Sequence, residues 1–241
     1  MPMDINRPMI SMGYSGGFMP LVEAVSSSGY NIKTLIGLGA PTAYIKPGIV
    51  PAVLIKLISA VVRNDLSAAT SLLSGIGVGY YVNSIAQVTE IIMAKLREIV
   101  QQSNVNNESF PYTLSEKTEL IVNVWGTEDV FYKDIGVVGK RDNFFGKPTY
   151  NIEIVGATHT DYIRGTDPAN PNMTWNNTVA SFVTDLMLSS SDANKLDLFI
   201  LDQKNKGIIL PPDARGVYIV RLPGCGISVI GAIPQGATLG A

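Results

Sequence analysis

Ser15 and His159 are the residues of this chain whose types and surroundings could perform chemistry together. Ser15 is the central residue of a G-Y-S-G-G segment at residues 13–17, and His159 is the only histidine among 241 residues. In a G-x-S-x-G turn that follows a strand and begins a helix, the serine hydroxyl is exposed at a strained bend, and glycines let the backbone turn without a clash. A histidine within reach could take the hydroxyl proton and so activate the oxygen toward an acyl carbon. The pair predicts acyl chemistry, with Ser15 as nucleophile and His159 as base.

The segments on both sides of the turn have the periodicity that such a bend requires. Pro8 to Met12 has the apolar character of a short buried strand, and residues 18–25 carry apolar side chains at helical spacing. The peptide N–H of Gly16 directly follows the nucleophile and would supply half of an oxyanion hole.

A carboxylate is the third group that this chemistry needs, because it holds the imidazole tautomer and stabilises the imidazolium. Asp129 follows a buried strand pattern at residues 119–125, and His159 follows another at residues 150–155. We therefore expect Asp129 to be the acid. Three other carboxylates remain alternatives at this stage: Asp161, Asp134 and Glu128.

The rest of the chain indicates an α/β domain with a mainly parallel sheet. Residues 32–39 are nearly all apolar, as expected of a strand buried on both faces. Residues 43–116 interrupt the strands with three helical patterns, at 53–63, 67–73 and 82–102, and a further helix is predicted at 176–189. Strands that alternate with helices in this way predict parallel pairing through crossover connections.

Residues 191–241 have a different pattern. Short apolar runs at 198–201, 207–210, 217–220 and 227–230 are separated by Pro211-Pro212, Pro223-Gly224 and Pro234. This pattern predicts a small C-terminal β extension.

The order Ser15, Asp129, His159 along the chain resembles the order of the catalytic residues in the α/β-hydrolase superfamily. Residues 13–17 resemble its nucleophile elbow, residues 126–131 (G-T-E-D-V-F) the loop that carries its acid, and residues 156–159 (G-A-T-H) the loop that carries its histidine. The resemblance spans roughly residues 8 to 190. It implies an α/β-hydrolase core at 1–190, with residues 43–116 as a helical cap over the site and residues 191–241 outside it.

The resemblance also implies that part of the usual sheet is missing. In that family the elbow follows the fifth strand, and an earlier loop supplies the second oxyanion N–H. The strand at 8–12 would then be an open apolar edge that something must cover. Three candidates stay open: a separate or cleaved chain, a symmetric copy of this chain, or the tail strands after Lys195. The last would bring residues 222–226 to the place where oxyanion donors are needed.

The composition excludes several kinds of partner and cofactor. The net charge of −2, without a cluster of Lys or Arg, argues against nucleic acid. Because Cys225 is the only cysteine, there is neither an intrachain disulfide nor a Cys/His cluster for zinc, and we expect no metal or organic cofactor. The longest apolar stretch, from Ile49 to Val62, contains Pro51 and Lys56 and is too short to span a bilayer. The lone cysteine favours a reducing, cytoplasmic location.

These observations predict a serine hydrolase that cleaves a carboxylic ester, thioester or related acyl bond through an acyl-enzyme. The apolar helical block favours a small-molecule substrate with an apolar acyl group. Two alternatives stay open. One is a non-catalytic or partner-dependent fragment that acts as an interaction module, and the other is acyl transfer to an acceptor other than water.

Overall fold

The structure is a computed structural model that describes residues 6–42, 51–75, 82–103, 111–162, 177–223 and 225. Its centre is one sheet of five parallel strands, arranged side by side in chain order. This confirms the predicted α/β class. The strands are β1 (Met9–Tyr14), β2 (Ile32–Leu38), β3 (Leu120–Gly126), β4 (Thr149–Ile154) and β5 (Tyr218–Val220).

Six α-helices lie in the described parts of the connections between the strands. Parallel neighbours need crossover connections, and helices are the usual way to build them. The helical patterns predicted at 18–25, 53–63, 67–73, 82–102 and 176–189 are each confirmed by a helix, although the helix in 82–102 begins only at Ile85 and residue 176 lies outside the described residues. The helices are α1 (Phe18–Ser27), α2 (Ala52–Val62), α3 (Leu66–Ser74), α4 (Ile85–Ser103), α5 (Asn177–Ser189) and α6 (Ala193–Asn205).

The sheet is covered by helices on both faces because successive side chains of each strand point to opposite sides. On β2, Leu35 packs in a cluster with Phe18 and Val22 of α1. Its neighbour Ile36 packs in another cluster with buried residues of α5 and α6. Double-sided burial explains why the strands read as nearly continuous apolar runs.

Helices α2, α3 and α4 form a hydrophobic cluster of their own. Leu57, Leu73 and Val88, one from each helix, are almost completely buried in it. Asp65 begins α3 by accepting a hydrogen bond from the Ala68 N–H at 2.9 Å. The helical insertion predicted at 43–116 is therefore present, although its residues 43–50, 76–81 and 104–110 lie outside the described residues.

The tail differs from the sequence prediction. Residues 198–201 lie in α6, so the strand predicted there is wrong. Asp192 caps this helix, and Leu196 and Ile200, four residues apart, are buried against the sheet. The run at 207–210 adds only a single bridge to the main sheet, and the run at 227–230 lies outside the described residues. The described tail therefore contributes a helix and an edge strand to the main sheet rather than a separate β extension.

The two edges of the sheet are β1 and β5. The tail strand β5 pairs with β4. It lies four strand spacings from β1, which is about 19 Å at about 4.8 Å per spacing. The expectation that the tail covers β1 is therefore wrong for β5. Of residues 222–226, the described ones (222, 223 and 225) follow β5 at the far edge, so their predicted place beside Ser15 is wrong, and residues 224 and 226 lie outside the described residues. Within the described residues, β1 pairs with β2 alone.

Candidate active site

Ser15 lies at the sharp bend between β1 and α1. Its backbone has a φ of +51°, in the left-handed region that side-chain-bearing residues rarely adopt. Gly13 permits the bend because a Cβ at this position would lie 2.7 Å from the Phe18 Cα. Gly17 has a φ of −67°, and a Cβ there would meet nothing within 4 Å. Of the two glycines expected to be needed, only Gly13 is required sterically.

The loops that carry Asp129 and His159 are bonded to each other through their backbones. The Thr127 N–H donates to the Ile154 carbonyl at 3.1 Å, and the Glu128 N–H donates to the Ala157 carbonyl at 3.1 Å. The Gly156 N–H donates in turn to the Thr127 hydroxyl at 2.9 Å. These bonds hold the two loops side by side at the carboxyl ends of β3 and β4.

The three predicted side chains form one continuous hydrogen-bonded chain. His159 Nε2 lies 2.8 Å from Ser15 Oγ, and His159 Nδ1 lies 2.7 Å from Asp129 Oδ2. Asp129 is completely buried, whereas 12% of the His159 side chain is exposed. The other carboxylate oxygen, Oδ1, accepts a hydrogen bond from the Phe131 N–H at 2.9 Å. The imidazole is therefore held between a buried carboxylate and a hydroxyl at the sheet edge.

The three alternative carboxylates have other partners. Glu128 forms an ion pair with Lys133 at 2.8 Å, and Asp134 lies 4.0 Å from Arg97 of α4. Asp161 accepts a hydrogen bond from the Thr158 N–H at 2.7 Å. Of the four candidates, Asp129 is the one that contacts His159.

Aromatic rings surround the imidazole. The ring centroids of Phe131 and Tyr14 lie 4.5 Å and 5.1 Å from that of His159, and the Tyr162 ring meets it edge-on at 6.4 Å. Phe131 also packs against the hydrophobic cluster of α2, α3 and α4. The helical insertion therefore reaches the site through the residues that directly follow Asp129.

Two residues at the site were missed by the sequence analysis. Gly39 has a φ of +52°, and a Cβ there would lie 2.9 Å from the Cε1 and Nδ1 atoms of His159. Gly39 directly follows β2, so the rule that strand ends meet at one edge could have found it. Tyr162 donates a hydrogen bond to Asp129 Oδ2 at 3.1 Å. No periodicity or motif points to Tyr162, because its position depends on the turn after His159.

The N–H of Gly16 lies in the first turn of the helical segment that begins at Ser15. The first N–H groups of a helix have no partner within the helix and carry a partial positive charge. Gly16 is also exposed. The position is suited to an oxygen that becomes negatively charged next to Ser15.

The described ranges contain no group of three or more His, Cys, Asp or Glu side chains arranged to hold a metal ion. They also contain no helix that is both long and apolar enough to cross a membrane.

Comparisons with protein-family models, curated proteins and solved structures gave no significant match to this chain. The fold is compatible with an α/β-hydrolase at the level of an α/β domain with a parallel sheet.

Proposed function

We propose that this protein is a serine hydrolase of the α/β-hydrolase type, which cleaves a carboxylic ester, thioester or related acyl bond. The observation that carries the proposal is the hydrogen-bonded chain from Ser15 Oγ through His159 to buried Asp129. Serine, aspartate and histidine follow one another along the sequence in the order that this superfamily uses. The strained backbone of Ser15 adds support, because such strain is concentrated at functional sites.

The reaction would proceed in two halves. Ser15 Oγ forms a bond to the acyl carbon while His159 Nε2 takes the hydroxyl proton. The bond to the leaving group then breaks, His159 returns the proton to it, and the acyl group remains on Ser15. In the second half a water molecule attacks the acyl carbon, His159 takes a proton from the water, and the same proton returns to Ser15 Oγ as the acid leaves. Asp129 stabilises the imidazolium in both halves.

The Gly16 N–H is the proposed donor to the oxygen that becomes negative in each tetrahedral intermediate. Its position directly after the nucleophile and at the start of a helix supports this role. The loss of one such donor typically lowers the rate by about 100- to 1000-fold.

An apolar acyl group is the proposed substrate class. The surroundings of His159 support it, since Phe131 and Tyr14 flank the imidazole and Phe131 leads into the apolar cluster of the helical insertion. Pockets lined by apolar and aromatic side chains select for apolar ligands.

A series of p-nitrophenyl esters from acetate to octanoate tests both the reaction and the substrate class. We expect turnover by the wild-type chain that rises with acyl length, and loss of turnover in Ser15→Ala and His159→Asn. A Lys56→Ala variant is the matched control, because Lys56 is exposed on α2. If the Ser15→Ala protein hydrolyses these esters as fast as the wild type, the proposal is wrong.

The second candidate is a chain that works only with a partner, and the sheet edge favours it. In the described residues β1 is paired on one side only, and Met12 on this strand is 43% exposed. An uncharged edge strand is a template for another strand. We propose that a second copy of this chain, or a separate chain, adds a strand to β1. Because Ser15 directly follows β1, such pairing would fix the position of the nucleophile.

A further inference from the structure

Tyr162 is bonded to the same carboxylate oxygen as the imidazole. Its hydroxyl donates to Asp129 Oδ2 at 3.1 Å, and His159 Nδ1 lies 2.7 Å from that same oxygen. Tyr162 is almost completely buried, and its ring meets the imidazole edge-on. With the Phe131 N–H on Oδ1, the fully buried Asp129 carboxylate accepts three hydrogen bonds.

A donor on Oδ2 alters the electrostatics of the Asp–His pair. A hydrogen bond to a carboxylate stabilises its negative charge and draws that charge toward the donor. The charge that remains attracts the imidazolium less strongly. The neutral imidazole is the form that acts as a base.

Tyr162 keeps its proton in this position. Burial raises the pKa of Tyr162, and the charge and hydrogen bond of Asp129 raise it further. The hydroxyl is therefore a donor throughout the range in which histidine titrates.

We propose that Tyr162 is a positioning residue, whose hydroxyl fixes the rotamer of Asp129 and weakens the attraction of its Oδ2 for the imidazolium that forms on His159. Its catalytic consequence requires that Ser15, His159 and Asp129 act as proposed above. The hydrogen bond from Tyr162 to Asp129 does not depend on that activity, so the two proposals can be tested separately.

Other charged and titratable groups come from the elements packed around His159. Tyr14 comes from the end of β1, and Asp161 lies two residues after the histidine with its carboxylate on the Thr158 N–H. The loop after β3 adds the Glu128–Lys133 pair and the Asp134–Arg97 pair that joins α4. A Tyr162→Phe substitution leaves all of these groups in place, so a change in the titration of His159 reports the loss of the hydroxyl.

NMR titration of His159 is the direct test, because a chain with one histidine gives one imidazole Cε1 proton signal without assignment. In Tyr162→Phe we expect the midpoint of this titration to rise by about 0.5 to 1 unit, since removal of the donor strengthens the Asp129–imidazolium attraction. Tyr150→Phe is the matched control. It removes another hydrogen bond from a tyrosine to a carboxylate, from Tyr150 to Asp197 at 2.7 Å, which lies at the start of β4 and away from the site. The His159 midpoint of this control should equal that of the wild type.

A second substitution, which should move the His159 midpoint in the opposite direction, keeps the experiment decisive if Tyr162→Phe does not fold. Replacement of Tyr162 alone by 3-fluorotyrosine retains the hydroxyl and makes it a stronger donor. We expect the His159 midpoint to fall below that of the wild type. Midpoints that are unchanged in both variants, or that move in the same direction, would overturn the proposal.

Kinetics separate this inference from the proposed function. If the ester series is hydrolysed, the acidic limb of the kcat/KM profile should move to higher pH in Tyr162→Phe by the same amount as the NMR midpoint, whereas a merely structural role would lower the amount of active protein and leave the profile in place. If no ester is hydrolysed but the NMR midpoint moves, the proposed function fails and the contact between Tyr162 and the Asp129–His159 pair stands.

Discussion

Gly126 and Ala157 lie so close together that a Cβ on Gly126 would stand 2.0 Å from the Ala157 carbonyl oxygen. Gly126 is the last residue of β3 and Ala157 follows β4 by three residues. Asp129 comes three residues after Gly126, and His159 comes two residues after Ala157. The distance between the carboxylate and the imidazole therefore depends on a backbone contact that only glycine allows.

A Gly126→Ala substitution should force the two loops apart. Overpacking of a core against backbone typically costs about 1–3 kcal/mol of unfolding free energy, and we expect the upper part of this range because the neighbouring atom is a carbonyl. Urea denaturation measures the change. Gly29→Ala is the control, since a Cβ at residue 29 would meet nothing within 4 Å. Equal stability of the two variants would contradict the contact.

Gly39→Ala should disturb the imidazole. A Cβ there would lie 2.9 Å from the His159 ring, so the ring must shift, and a misplacement of this kind can lower kcat/KM by about 100-fold. Gly136→Ala carries the matched backbone strain: its φ is +75°, and a Cβ there would meet no atom within 4 Å. We expect both variants to lose stability, by about 1–2 kcal/mol for the left-handed backbone. Only Gly39→Ala should lose ester hydrolysis, and equal activities would contradict the assignment.

The backbone strain at Ser15 predicts a difference in stability between two variants that both lack the Ser15 hydroxyl. Alanine at a φ of +51° keeps the strain, whereas glycine adopts this conformation freely. Ser15→Gly should therefore be more stable than Ser15→Ala by about 1 kcal/mol, as measured by urea denaturation. A less stable Ser15→Gly protein would mean that the bend is not strained.

Tyr162 should make the protein less stable at high pH. Its folded pKa is raised above the ordinary value of 10.0 by burial and by Asp129, so the unfolded chain loses this proton first. The contribution to stability is full below pH 10 and declines above it, by about 1.4 kcal/mol per pH unit. The difference in unfolding free energy between wild type and Tyr162→Phe should narrow as pH rises from 10 to about 11. A constant difference would show that the hydroxyl titrates alike in both states.

Pairing at β1 should respond to a charge on the strand. Met12→Lys places a solvated charge on the exposed edge, a device that natural edge strands use against pairing. If the chain forms a dimer through β1, this variant should be monomeric in sedimentation. Leu198→Lys on α6, where the leucine is 66% exposed, is the control and should keep the wild-type mass. A Met12→Lys dimer, or a monomeric wild type at high concentration, would exclude a second copy as the partner.

Much of the fold could be predicted because its elements carry distinct patterns. The strands buried on both faces have continuous apolar runs, and α1 to α5 have apolar residues at helical spacing. Residues 198–201 were predicted wrongly because a short apolar run is compatible with either a strand or a helix. The cap at Asp192 and the burial of Leu196 and Ile200 decide for the helix.

The site could be predicted only as far as strand ends and motifs define it. Ser15, Asp129 and His159 each follow a strand, and parallel strands bring their carboxyl ends to one edge. The sequence favours Asp129 as the acid, and the conformation of the loops separates it from Glu128, Asp134 and Asp161. Gly39 acts through the absence of a side chain, and Tyr162 acts through a turn that no sequence pattern describes.

The proposed hydrolase depends on a nucleophilic Ser15 oxygen that His159 activates. Reaction of the purified chain with a fluorophosphonate probe, followed by mass spectrometry of the peptide that contains residues 13–17, tests it most directly. We predict one phosphonyl group on Ser15, no label in Ser15→Ala, and at least a 100-fold slower reaction in His159→Asn. A folded wild-type protein that acquires no label, or that is labelled equally fast without His159, would contradict the account.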